Sequence, residues 1–278
     1  MSTKSNIIRI LKDTQQKKGY DGWTHVCIGN FYRTSGVYAL SQEAEFALKT
    51  KLNDQVKSDN VDFSIAEKQD NISYIIIDLE FKYNIDNKIS RIYSKEMFDD
   101  IADEYMREIR ILFDIPESFE YNIWFFEKEN PTVYCDKFVK DGIHIIIDIA
   151  CSKDERIEFR NQILDTTEII LNKHGIMENI VLDIDNVVDK RAHSVPWFMY
   201  GCAREKSIPY LLTSGYVVKH NNINKFSDEE VQFMKDNGNL VYRFSVRNRK
   251  QFVFRKNASS IWYEFKNHRW VKSDYHIT

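Results

Sequence analysis

Residues 74–81, Y-I-I-I-D-L-E-F, constrain this chain more than any other stretch. A short β-branched run closed by charges is a buried strand. Side chains alternate along a strand, so Asp78 and Glu80 leave from one face while Leu79 packs on the other. Two carboxylates at that spacing repel each other unless a cation lies between them. A hard divalent ion such as Mg²⁺ takes one or two carboxylates, waters and phosphate oxygens. A strand running out of the core into solvent would carry the same D-x-E, and the motif alone does not choose between the two.

The chain has 278 residues, room for one large domain or a domain with an appendage. Its apolar content of 43% is ample for a packed core, and its nine Gly and four Pro exclude a collagen-like or linker-rich chain. The net charge is only −3, so no global basic field announces nucleic acid. The charge is unevenly spread, however. Residues 241–278 carry nine Lys/Arg against Glu264 and Asp274, a net +7 that leaves the first 240 residues at −10. A basic end on an acidic body marks either a polyanion contact or a solvated charged face.

Four cysteines (Cys27, Cys135, Cys151, Cys202) form no C-x-x-C pair, which excludes a zinc knuckle and a thioredoxin-type motif. Such sparse use fits a reducing compartment. The N-terminus has no apolar core of signal-peptide length, and no stretch approaches the ~18–20 apolar residues of a membrane span. A soluble intracellular protein without a membrane partner is expected.

Along the chain, residues 5–18 have a helical apolar face, and 23–38 are rich in β formers broken by glycine. Ser41 is placed to cap a helix over 43–52, with loop from 53 to 60 and a short strand at 61–66. Ser94 is placed to cap a long helix, with Phe98, Ile101, Ala102, Tyr105, Ile109 and Leu112 at 3–4 spacing ahead of Pro116. A strand follows at 121–126. Asp141-Gly142 has turn composition, and 143–149 is a strand bearing His144. Ser152 with Glu155 forms a capping box for a helix stopped by Gly175. Residues 177–188 are a short helical turn or strand leading to Asp189. Two short strands are expected at 210–213 and 216–218, and a helix from Ser227 to 236. Residues 239–272 are aromatic, basic and β-like. Strands and helices alternate, with hairpin-like pairs, which favours an α+β protein with a mixed or antiparallel sheet. Neither G-x-G-x-x-G nor a Walker A sequence occurs.

Four stretches then carry a family resemblance. They are 75–83 (I-I-I-D-L-E-F-K-Y), 140–147 (K-D-G-I-H-I-I-I), 187–201 with Asp189 followed by W-F-M-Y-G, and 209–213 (P-Y-L-L-T). In order and wording they resemble the motifs of the archaeo-eukaryotic primase superfamily. The nearest likeness is to the primase domains of the poxvirus-type primase–helicases of large nucleocytoplasmic DNA viruses. Residues 262–270 (W-Y-E-F-K-N-H-R-W) resemble the start of the module that joins primase to helicase there. The chain departs from the pattern at Glu80, where Asp is usual, and at Cys202-Ala203-Arg204, which leaves the phosphate cation open between Arg204 and Lys206. Asp185 rivals Asp189, whose distance to Trp197 suits the pattern better.

The resemblance implies an RRM-like sheet flanked by helices and a DNA primase, or primase–polymerase, working in viral DNA replication. It implies catalytic, metal-holding carboxylates at Asp78, Glu80 and Asp189, with Mg²⁺ or Mn²⁺ as cofactor. His144, Lys140 and Arg204 would bind the nucleotide. Single-stranded DNA template, nucleoside triphosphates and a replicative helicase are the implied partners, and host cytoplasm or a viral factory the implied location. The expected layout is a primase catalytic domain over 1–220 and a small basic module over 221–278. Ending at Thr278 with no helicase ATPase, the chain is expected to be a stand-alone primase or a fragment, and monomeric. The aromatic, basic tail either holds template by charge and stacking or packs as a joining module. A metal-dependent nuclease using the same carboxylates and a non-enzymatic adaptor that binds single-stranded DNA remain the alternatives.

Overall fold

The computed structural model describes residues 3–29, 34–58, 63–85, 89–116, 119–205, 207–220 and 222–247, and the backbone of 262–266 and 269–273. An N-terminal layer holds α1 (Thr3–Thr14), β1 (Gln15–Gln16), β2 (His25–Cys27), β3 (Gly36–Tyr38), α2 (Gln42–Lys57) and β4 (Ile65–Glu67). The central layer follows with β5 (Ile72–Asn84), α3 (Glu96–Leu112), β6 (Tyr121–Glu127), β7 (Thr132–Tyr134), β8 (Phe138–Ser152) and α4 (Lys153–Lys173). After α5 (Ile184–Val187) and a 3₁₀ turn at Lys190–His193 come β9 (Trp197–Phe198), β10 (Leu211–Lys219), β11 (Asn222–Lys225), α6 (Asp228–Asn237) and α7 (Leu240–Arg243). A separate hairpin pairs β12 (Trp262–Lys266) with β13 (Arg269–Ser273).

Two sheets result, in the orders β1-β3-β2-β4-β9 and β11-β10-β6-β8-β5, with β7 alongside β8. Among the described residues every pairing between strands is antiparallel. The fold is α+β, as the sequence pattern required. Alternation along β5 divides the core. Ile75, Ile77, Leu79 and Phe81 face α3 and α4, packing with Phe98, Ile101, Tyr105, Phe159 and Ile163. On the opposite face of the sheet Trp124, Phe126, Ile146 and Leu212 pack with Leu48, Leu52, Ile65, Met199 and Tyr200. Each such side chain, fully buried, contributes roughly 1.5–3 kcal/mol. The second face is thus only partly covered by the N-terminal layer, and Asp78 and Glu80 emerge where the cover stops.

Local signals held at the helix ends. Ser41 accepts from the Ala44 N–H, and capping boxes form at Ser152/Glu155 and Ser227/Glu230. Gly175, at φ +65°, ends α4 as a left-handed residue should. Ser94 is not the cap residue of α3: that position is Lys95, and the Ser94 carbonyl accepts from the Met97 N–H. Of the loop expected over 53–60, residues 53–57 continue α2, because Asn53 and Gln55 are buried, and 59–60 lie outside the described residues. The two short strands expected around 210–218 are one strand, β10, with a register irregularity between Leu212 and Ser214.

The largest correction concerns Asp141-Gly142, which is no turn. Both residues lie inside β8, where Gly142 pairs with Glu80 and Asp141 with Phe81. The reversal occurs earlier, at Cys135 and Asp136, both at positive φ. Glycine serves close approach here: a Cβ at 142 would stand 2.6 Å from the Leu79 carbonyl oxygen and 2.9 Å from the Tyr210 hydroxyl. Residues 239–272 are not uniformly β-like, since 240–243 are helical. Most of the basic tail between them and β12 lies outside the described residues, as does Lys206. No described helix is long and apolar enough to cross a membrane.

Candidate active site

Antiparallel register brings the sequence motifs together. Asp78 on β5 stands directly opposite His144 on β8, and the His144 Nε2 lies 3.6 Å from Asp78 Oδ1. Four residues along, Lys82 pairs with Lys140, and the Lys140 ammonium donates to Glu80 Oε1 at 2.6 Å. The third carboxylate arrives from a distant segment. Val188 bridges to Leu79, and the Asp189 N–H donates to the Asp78 carbonyl at 2.9 Å. Asp189 then caps the 3₁₀ turn, accepting from the Arg191 N–H at 2.9 Å and from its guanidinium at 3.3 Å. Its rival Asp185 is turned elsewhere: it accepts from the Arg160 guanidinium at 2.8 Å and lies outside the cleft.

These groups line one cleft of about 940 Å³, open between the two sheets. All six residues singled out by the sequence border it: Asp78, Glu80, Asp189, His144, Lys140 and Arg204. Arg204 is exposed at its rim. The side chain of Asp78 is 25% exposed and that of His144 16%. Burial, then the charges of Asp189 and Glu80, push the Asp78 carboxyl up to about 7, against the opposing pull of Lys128 and Arg191. Burial, helped by Lys128, holds the His144 imidazole down to about 3, so it is neutral at pH 7. Aromatic rings fix that imidazole: Tyr210 stacks on it at 3.5 Å between centroids, and Trp197 lies 4.4 Å away.

A family model described as the C962R protein N-terminal AEP domain matches residues 24–216. The chain belongs to the archaeo-eukaryotic primase (AEP) family. Its branch is that of the C962R-type viral primase–helicases. The matched span runs from β2 into β10 and contains every cleft residue that the sequence motifs had marked. No curated protein matches the chain. Membership in the AEP family supports a primase-type function.

Several groups of this AEP cleft carry no sequence signal. Lys128, just past β6, reaches into it, with Nζ 5.0 Å from the centre of the Tyr210 ring. The strand composition of 121–126 says nothing about the residue that follows. Tyr210 was visible only as part of P-Y-L-L-T, with no role attached. Arg91 clamps the neighbouring strand ends, donating to Asp141 Oδ2 at 2.9 Å, Glu127 Oε1 at 2.6 Å and the Lys128 carbonyl at 2.6 Å. Only the register places Lys128 here, because β6 pairs Phe126 with His144.

Away from the cleft, buried His25, Glu45 and Glu67 bring one ligand atom each within 4.8 Å of one another. Among the described His, Cys, Asp and Glu side chains, this is the only trio to do so. A cation already sits there: the Lys49 ammonium pairs with Glu45 and lies 3.3 Å from Glu67. Glu67 also accepts from the Ser245 hydroxyl and the Val246 N–H, both at 2.7 Å. Lys49 and these donors satisfy the carboxylates, so the trio is an internal charge network that fastens the chain after α7. The AEP cleft carboxylates stand wider apart, Glu80 drawn to Lys140 and Asp189 to Arg191.

Proposed function

We propose that this AEP domain is a metal-dependent DNA primase, a nucleotidyltransferase that starts chains on single-stranded DNA. One observation carries the reading: Asp78 and His144 face each other in register, with Asp189 bonded to the same strand, in a cleft bordered by Lys140 and Arg204. The donor set fits Mg²⁺ or Mn²⁺. It is all hard carboxylate oxygen, and the Asp78 carboxyl, raised first by burial and then by Asp189 and Glu80, has negative neighbours that a divalent cation would offset. Asp78, Glu80 and Asp189 would hold such ions. When bound, they supply Lewis-acid stabilisation of the attacking and leaving oxygens.

The chain's own residues do the rest. A neutral His144 donates one ring N–H to the triphosphate, its plane fixed by Tyr210 and Trp197. Lys140 and Arg204 offset phosphate charge. In the reaction the 3′-hydroxyl gives up its proton to water, its oxygen bonds to the α-phosphorus, the bond from that phosphorus to the bridging oxygen breaks, and pyrophosphate leaves with that electron pair. With β7, α5 and β9 set aside as additions, β5-α3-β6-β8-α4-β10 with β8 paired between β5 and β6 is a split βαβ pattern that supports an RRM-like reading, β10 lying beside β6. Template strand and nucleoside triphosphate are the substrates, and a replicative helicase is the partner that a role in viral DNA replication calls for.

The test is primer synthesis on unprimed single-stranded DNA with labelled nucleotides and Mn²⁺, with Asp78→Ala alongside. Short products from the unmodified protein alone are expected. Equal synthesis by Asp78→Ala would overturn the site, and template degradation without incorporation would make the cleft a nuclease. Template binding without either reaction would point to the adaptor.

A further inference from the structure

Among the described residues, four cations border the cleft: Lys128, Lys140, Arg191 and Arg204. Lys140 is engaged by Glu80 at 2.6 Å, and Arg191 by Asp189 at 3.3 Å. Among the described residues, Lys128 and Arg204 have no carboxylate partner within ion-pair distance. Arg204 is exposed at the rim, where water screens it. Lys128 is half-buried and held from behind, since Arg91 grips its carbonyl together with Glu127 and Asp141 on the adjoining strands. Its ammonium lies over Tyr210, the ring that stacks on His144, so cation, phenol and imidazole form one group beside Asp78.

Taking a cation partly out of water without giving it a counter-ion costs free energy. Consistent with that, burial lowers the Lys128 pKa, while Asp141, Asp78 and Glu80 partly restore it. A site that holds such a lysine without a carboxylate partner, on an anchored backbone and in an open cleft, is built to receive an anion from outside. We propose that Lys128 is a further substrate-binding residue, which meets the polyphosphate of the incoming nucleotide beside His144. This rests on the nucleotidyl-transfer reading above and deepens it. Lys140 and Arg204 must first give up Glu80 or bulk water to reach the same phosphates, whereas Lys128 is already presented.

The experiment is calorimetric titration of the protein with ATP and with AMP, each with Mn²⁺, for the unmodified chain, Lys128→Ala, Lys128→Met and Lys128→Arg. Lys128→Ala is expected to weaken ATP binding about tenfold or more while changing AMP binding little, because only ATP carries the β- and γ-phosphates. Lys128→Arg keeps the charge and should stay within about threefold, by the charge-assisted bonding both side chains share. Lys128→Met keeps the apolar stem over Tyr210 and should lose ATP affinity like the alanine variant, even if Lys128→Ala folds poorly. Equal ATP affinity in Lys128→Met and the unmodified chain would overturn the proposal while leaving the primase reading intact. An equal loss for ATP and AMP would make Lys128 a structural support of Tyr210 and also overturn it. Failure of the unmodified chain to bind ATP at all would remove the nucleotidyl-transfer reading, and this proposal with it.

Discussion

Replacing Gly142 by alanine tests the close approach of β5 and β8 at the cleft. Two effects compete. Gly142 is not among the positive-φ glycines, so the backbone does not demand glycine. Removing glycine's freedom from the unfolded chain would then stabilise the protein by about 0.4–1 kcal/mol. Against this, the new methyl carbon would sit 2.6 Å from the Leu79 carbonyl oxygen, closer than side-chain carbons approach, and 2.9 Å from the Tyr210 hydroxyl. Tyr210 can turn aside, but the Leu79 carbonyl belongs to the β5 backbone and cannot. Overpacking of this kind costs typically 1–3 kcal/mol. Steric cost therefore wins, and a net loss of roughly 1–2 kcal/mol is expected, a fall in Tm of about 2–8 °C for a chain of this size. The strain falls two pairs from Asp78 and His144, so primer synthesis should drop by more than the loss of folded protein explains. Urea unfolding followed by tryptophan fluorescence gives the first quantity, and initial rates in the fully folded range give the second. A Gly142→Ala protein as stable as the parent, or more so, would refute the close-packing explanation and reopen the possibility of a turn.

Two other perturbations follow from the charges. The folded-state carboxyl of Asp78 titrates near 7, above its ordinary value of 3.8, because of burial and its acidic neighbours. Between those limits the unfolded chain has released a proton that the folded chain keeps. Stability of the metal-free protein should thus fall from about pH 4 to about pH 7, by at most about 1.4 kcal/mol per unit from this group. Asp78→Asn should remove that contribution, and melting curves in chelator across the range check it; an unchanged slope would refute the assignment. Glu67 is the opposite case: burial pushes its carboxyl up, but Lys49, His25 and Ser245 override this and hold it well below the ordinary value. Its stabilisation is complete above about pH 4.5 and is lost as pH falls toward the folded-state value. Glu67→Gln should cost about 3 kcal/mol at pH 7, the lower end for breaking a buried pair because Lys49 keeps Glu45, and should flatten the acid limb of the stability curve. A loss under about 1 kcal/mol by urea unfolding would mean that the network does not fasten the chain after α7.

What the sequence alone determined is local or repeats with a short period. The I-I-I-D-L-E-F run specified the strand and put Asp78 and Glu80 on one face, because alternation depends only on backbone geometry. The 3–4 spacing from Phe98 to Leu112 specified α3, and Ser152 with Glu155 specified the start of α4, since both rest on contacts within one turn. Motif order marked the AEP family and six residues that the fold brings to one cleft. The tertiary structure decided everything that depends on which strands pair and at what register. Gly142 looked like a turn because composition cannot distinguish a glycine that bends the chain from one that lets two strands close. Asp189 lies in the cleft and Asp185 outside it, with the Asp189 N–H bonded to the Asp78 carbonyl across more than a hundred residues of chain. Lys128 had no motif at all: it matters because β6 lies beside β8, which leaves its ammonium over Tyr210 and beside His144. Charges become functional through their surroundings, and burial, stacking and the lack of a partner are properties of the packed chain rather than of any stretch of sequence.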